Sequence, residues 1–133
     1  MCILMSPVEK KVIGLVERVK IIGKTKSIVK KAIVDTGATR TCVDMRLAAR
    51  AGLGPVVSTV RVKSKKKHGG NELRAVVHGI IEVKGIRIPL EMSLEDRGGV
   101  HHKILLGRDA LHGKFIVDIE KTHNSNRIKD VNE

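Results

Sequence analysis

The sequence has almost no aromatic side chains: one Phe, no Trp and no Tyr among 133 residues. Proteins that stack single-stranded bases on aromatic platforms need such rings, so nucleic acid is a disfavoured partner. Cysteine is scarce, with only Cys2 and Cys42, too few for a disulfide framework. A reduced, cytoplasmic setting is therefore expected. Long apolar runs are missing, so no transmembrane helix and no membrane partner are expected. The apolar stretch 1–5 is too short for a signal-peptide core. Acid is the minority charge: Lys and Arg number 26 against 14 Asp and Glu, for a net charge of +12 and a pI of about 10.1. That balance favours anionic partners. What is present is aliphatic: hydrophobic residues make up 41%, mostly Val, Ile and Leu, which excludes a mostly disordered chain. The length fits one domain spanning 1–133, with 1–10 and 120–133 read as flexible termini.

The β-branched pattern predicts many short strands. Residues 12–22 read as a strand, Gly23-Lys24 as a hairpin turn and 26–34 as its return. A short strand is expected at 41–43. Asp44 is placed to cap a short helix over Met45–Ala51, and Gly52 to end it. Residues 56–62, 73–83 and 86–93 read as strands, the last two joined at Lys84-Gly85. Between 64 and 71 the chain is polar, basic and Gly-containing, a loop or hairpin tip. A polar loop over 94–102 leads to a strand at 103–106, one helical turn at 107–111 and a last strand at 114–119. The expected fold is all-β, mainly antiparallel, closed or sandwich-like, with two short helices.

The stretch Ala32-Ile33-Val34-Asp35-Thr36-Gly37-Ala38 carries most of the functional information. An apolar strand ends in a carboxylate, a small hydroxyl residue and a glycine that permits close backbone approach. Alone it reads equally as a strand-to-turn Asx cap. A second element follows, Ile104-Leu105-Leu106-Gly107-Arg108-Asp109-Ala110-Leu111, which alone is a strand-helix corner. In this order the two resemble the retropepsin family of aspartic proteases. Residues 60–64, 73–77, 94–97 and 102–108 sharpen the likeness toward a retropepsin-like group known as ATP-dependent zinc proteases, associated with RimK-type glutamate ligases. The likeness covers about 12–118.

The resemblance implies a retropepsin-like closed β-barrel, functional as a C2 homodimer, because one chain carries one Asp-Thr-Gly and aspartic proteolysis needs two carboxylates. It assigns Asp35, Thr36 and Gly37 as catalytic. Asp35 would activate water beside its copy, Thr36 would link the loops across the axis, and Gly37 would contact peptide. Ala38 and a flap tip within 63–72, including Lys65, Lys66, Lys67, His68, Gly69 and Gly70, would bind substrate. Arg108 and Asp109 would give structural support. The sequence departs from the viral pattern where Thr39 and Arg40 replace the acidic residue that pairs with the helix arginine; an Asp109–Arg40 pair with reversed charges is one reading. Five positive residues within 61–67 fit either a solvated turn or a funnel for acidic peptide, and the glutamate-ligase association suggests oligoglutamate.

The six histidines show no His-Glu-x-x-His helix and there is no Cys-x-x-Cys knuckle, so no metal and no other cofactor are expected. No Walker loop is present, so neither is a nucleotide. His101 and His102 read as surface or loop histidines; on a strand, such neighbours would point to opposite faces. Cys42 reads as a packed small apolar residue, and Glu95-Asp96-Arg97 as a loop with its own ion pair. Three competitors to the peptidase remain: a peptide-binding module without turnover, a basic nucleic-acid-binding β protein, and a monomer with metal at Asp35.

Overall fold

A computed structural model describes residues 9–63 and 70–121. Its elements are β1 (Lys11–Ile13), β2 (Val16–Ile22), β3 (Ser27–Val34), β4 (Cys42–Asp44), α1 (Met45–Ala51), β5 (Val56–Lys63), β6 (Asn71–Val83), β7 (Ile86–Glu95), β8 (Ile104–Leu106), α2 (Arg108–Leu111) and β9 (Phe115–Val117), closed by a 3-10 turn at Ile119–Lys121. The main sheet runs β2-β3-β8-β4-β7-β6-β5, and an added β2–β6 pairing turns its first six strands into a closed barrel. Closure removes the open edges that would otherwise invite strand addition. β5 stays outside the ring and pairs only with β6. β1 and β9 form a separate parallel pair. Among the described residues no helix is long and apolar enough to cross a membrane.

Alternation places the core. In β2, Val19 and Ile21 point inward; in β3, Ala32 and Val34 do. They meet Ile81, Val83, Ile88, Met92, Ile104 and Leu106 in one aliphatic cluster. Each fully buried Ile or Leu of this kind contributes about 2–5 kcal/mol by truncation. The cluster needs no aromatic ring beyond Phe115 at its edge.

The expected strand at 12–22 is in fact two. Its first piece leaves to pair with β9, and the break is fixed where the Gly14 N–H donates to Glu17 Oε1 at 2.9 Å. The helix Met45–Ala51 begins and ends as expected. Asp44 caps it, accepting from the N–H groups of Arg46 and Leu47 at 3.2 and 3.3 Å, and Gly52 takes the left-handed conformation at φ 78°. The β6–β7 hairpin turns on Lys84 and Gly85, at φ 52° and 80°, the pair of positive angles a tight two-residue turn requires. β7 extends through Glu95 into the segment read as loop. That loop then folds inward: Arg97 is buried, its N–H donates to Asp44 Oδ1 at 2.8 Å, and Lys103 Nζ donates to the carbonyls of Arg97 and Val100 at 2.8 and 2.7 Å. His101 and His102 sit in this loop, as expected, with rings edge-to-face and centroids 4.7 Å apart. A loop lacks the strict alternation that would separate them.

Candidate active site

Asp35 leaves the end of β3 with its backbone held on both sides. The Val34 N–H donates to Leu15 O at 2.8 Å and the Asp35 N–H donates to Leu106 O at 2.9 Å. The turn then closes on the carboxylate: Gly37 N–H donates to Asp35 Oδ1 at 2.9 Å, and Ala38 N–H to Asp35 O at 3.2 Å. Asp35 is half-buried, while Thr36 and Gly37 are exposed. Among the described residues the Thr36 hydroxyl has no hydrogen-bond partner.

The second motif locks this loop from behind. Arg108 N–H donates to Ala38 O at 2.8 Å, and Asp109 N–H to Thr39 O at 3.2 Å. The two backbones touch at Gly107, where an added Cβ would lie 2.6 Å from the Arg40 carbonyl carbon, so no larger residue fits without displacement. Arg108 Nη2 also donates to Thr39 Oγ1 at 3.0 Å. Asp109 does not pair with Arg40. Its carboxylate accepts from the Thr41 N–H at 2.9 Å and the Thr41 hydroxyl at 2.7 Å, and that hydroxyl in turn accepts from the Gly107 N–H at 3.1 Å. Thr41 is wholly buried, so these groups have no water to turn to, and they claim the acid first. Arg40 instead donates from Nη1 to the Glu91 carbonyl at 3.3 Å.

Glu95 forms a second polar knot beside the loop. Its Oε2 accepts from Cys42 Sγ at 2.8 Å and lies 3.2 Å from Arg97 Nη1 and 3.5 Å from Arg74 Nη1. The expected Glu95–Arg97 contact is thus present, though Arg97 Nε is used by the His102 carbonyl at 2.8 Å instead of completing a two-pronged grip. Burial, with the Glu95 hydrogen bond, pushes the Cys42 thiol up to about 11, so it stays neutral and is no nucleophile. Burial alone would raise the Glu95 carboxyl, but Cys42, Arg74 and Arg97 together hold it below the ordinary value. Sequence reading placed Cys42 as packing and Glu95 in its loop; it missed that β4 and β7 run parallel, Cys42 opposite Ser93, which brings the two together.

β5 and β6 pair antiparallel, with a register shift between Val56 and Ser58 and regular pairing from Ser58 to Lys63. Gly70 immediately precedes β6 and is half-buried. Lys65, Lys66, Lys67, His68 and Gly69 lie outside the described residues, as do Cys2, His123 and the terminal stretches 1–8 and 122–133. No group of three or more His, Cys, Asp or Glu side chains among the described residues could hold a metal ion.

A family profile described as "gag-polyprotein putative aspartyl protease" matches residues 19–113, more than half of the chain and both motifs. The chain belongs to this retropepsin-like aspartic protease family. Several solved structures share the fold. The EIAV protease bound to the inhibitor HBY-793 superposes with a TM-score of 0.59 at 22% identity, covering 86% of this chain and all (100%) of that one. The simian foamy virus protease gives 0.51 at 23% identity, over 71% of this chain and 89% of its own. A Legionella pneumophila protein of unknown function, Lpg0085, gives 0.56 at 19% identity, over 84% and 95%. Comparison with curated proteins returns no match.

Proposed function

We propose that the protein is an aspartic-type peptidase that works as a homodimer, with Asp35 of each chain forming the catalytic pair. One observation carries this reading. The single Asp-Thr-Gly loop is exposed and rigidly held, its carboxylate is oriented by Gly37, and the Thr36 hydroxyl has no partner among the described residues. A two-fold copy would supply that partner and bring the second carboxylate beside the first. Exposed Ile116 and Ile119, at 53% and 68% accessible, offer apolar surface for such an interface.

Two carboxylates at close range share one proton, since both cannot ionise cheaply. The ionised member takes a proton from water as its oxygen adds to the scissile carbonyl carbon. The protonated member gives its proton to the carbonyl oxygen. As the tetrahedral intermediate collapses, the C–N bond breaks and the amine nitrogen takes a proton from the pair. The β5–β6 hairpin covers the peptide and limits water. The +12 charge, and Arg61 and Lys63 exposed at the hairpin's end, favour acidic peptides. The finer likeness to the RimK-associated group makes oligoglutamate the first sequence to try.

The test is cleavage of a peptide library rich in acidic sequences, read by mass spectrometry between about pH 4 and pH 8, with and without chelator. Cleavage that survives chelator and disappears in Asp35→Asn is expected, with sedimentation showing a dimer. Cleavage lost to chelator would overturn it. So would peptide binding without cleavage, which a non-catalytic module predicts.

A further inference from the structure

Between the catalytic loop and the turn-proximal part of the β5–β6 hairpin lies a pocket of about 340 Å³, bounded by Ala38, Arg40, Val60, Val62, Arg74 and Glu95. Its charges do not balance. Glu95 is offset by Arg97 and Arg74 at 3.2 and 3.5 Å, and Arg74 Nε also binds Glu72 Oε2 at 3.0 Å. Two acids thus answer two arginines. Arg40 is left over. It is half-buried, its one hydrogen bond is to the Glu91 carbonyl, and among the described residues no carboxylate lies within ion-pair distance of it. A guanidinium carries five N–H donors, and taking its charge partly out of water without a counter-ion is costly.

We propose that Arg40 makes this pocket a subsite for an acidic side chain of the peptide substrate, with the guanidinium holding the carboxylate. The proposal rests on the peptidase reading of the Asp35 loop and adds to it where the acidic preference resides. The walls suit a carboxylate on a short apolar stem: Val60, Val62 and Leu105 can pack against methylenes while the far end meets Arg40. Arginine holds carboxylates in a fixed fork geometry, which gives selectivity as well as attraction. The position matters too. Arg40 follows Asp35 by five residues on a loop tied to α2 at Ala38 and Thr39, so its base is fixed relative to the reacting carboxylate. The general +12 field could draw in any anion, but it cannot choose one residue of a peptide.

Binding to the Asp35→Asn protein tests this without needing turnover. Fluorescent peptides carry one Glu, or one Gln, moved stepwise along an otherwise neutral host, and affinity is read by anisotropy. One position is expected to favour Glu over Gln by about tenfold, which corresponds to 1.4 kcal/mol. Adding Arg40→Gln should bring that ratio to about one, and Arg40→Glu should reverse it in favour of Lys at the same position. Arg40→Lys keeps the charge and serves if the Gln variant does not fold; it should retain part of the preference. A ratio near one everywhere, a preference spread evenly over all positions, or a preference that survives Arg40→Gln would overturn the subsite. Selective binding through Arg40 with no cleavage by the wild type would overturn the peptidase reading alone. Cleavage with no Glu preference would overturn the subsite alone.

Discussion

The corner where the Asp35 loop meets α2 and the hairpin of β5 and β6 are built in opposite ways. At the corner every short segment is pinned by another: Asp35 by Leu106, Ala38 by Arg108, Thr39 and Thr41 by Asp109. Buried polar groups there are satisfied in a closed chain, and a closed chain tolerates little change. The hairpin has one sheet neighbour along β5, and no residue of β5 is more than half-buried. Such a segment opens at low cost. A peptidase that must hold a carboxylate still while admitting a chain of peptide needs both kinds of structure. In the proposed peptidase the pinned corner would be the reacting centre and the hairpin its movable cover.

The corner should be the easier of the two to destroy. Asp109→Ala removes the acceptor for two groups of buried Thr41 and leaves them unsatisfied. Unfolding in urea should show a loss of about 3 kcal/mol. Loss of the Asp35 loop's alignment should lower kcat more than it raises KM. A variant with unchanged urea midpoint would mean that the corner's hydrogen bonds are replaceable by water and the contrast with the hairpin is false.

Glu95 lies between the two regions, touching Cys42 in β4 and Arg74 in β6, and its pH behaviour sharpens the comparison. Its folded carboxyl sits below the ordinary value. A carboxyl of that kind adds stability that is present above its unfolded value and is lost as pH falls through the folded one. The wild type should therefore lose stability on acidification below about pH 4.5, and Glu95→Gln should lose less over the same range. Urea midpoints measured across that window give both slopes. Equal slopes would show that Glu95 does not couple hairpin to barrel.

Much of this was legible because local chemistry and tertiary structure agree. Asp44 and Gly52 bracket α1 as their types demand, and Lys84-Gly85 can hardly do other than turn. The strand-plus-Asp-Thr-Gly loop and the later Gly-Arg helix could be paired from sequence because their order is part of the family's pattern. What stayed hidden depends on long-range pairing. Asp109 looked free to take Arg40 because charge is visible in a sequence, while the buried hydroxyl and N–H of Thr41 that outcompete it are not. The break at Gly14 was equally invisible, since β1's partner β9 lies at the other end of the described chain. The Glu95 knot needed the parallel β4–β7 register before its members could meet.

The smallest effects should come from the hairpin, and they should depend on which face is changed. Successive side chains in a strand point to opposite faces. Val60 and Val62 line the pocket beside the Asp35 loop, and their register partners are Arg74 and Glu72. Leu73 lies between those partners, opposite Arg61, and therefore faces outward; it is 61% exposed. Leu73→Ser should leave the urea midpoint within about 0.5 kcal/mol of wild type. It should leave KM unchanged as well. Val62→Ser should also cost little stability, because the residue is only half-buried, yet under the peptidase reading it should raise KM by removing an apolar wall of the proposed subsite. Stability and KM measured on the two variants separate cover from core. Should Val62→Ser destabilise as strongly as Asp109→Ala, the hairpin would be part of the rigid frame. Should Leu73→Ser raise KM as much as Val62→Ser, the outer face would also meet substrate, and closure over the cleft would be the wrong picture of what this hairpin does.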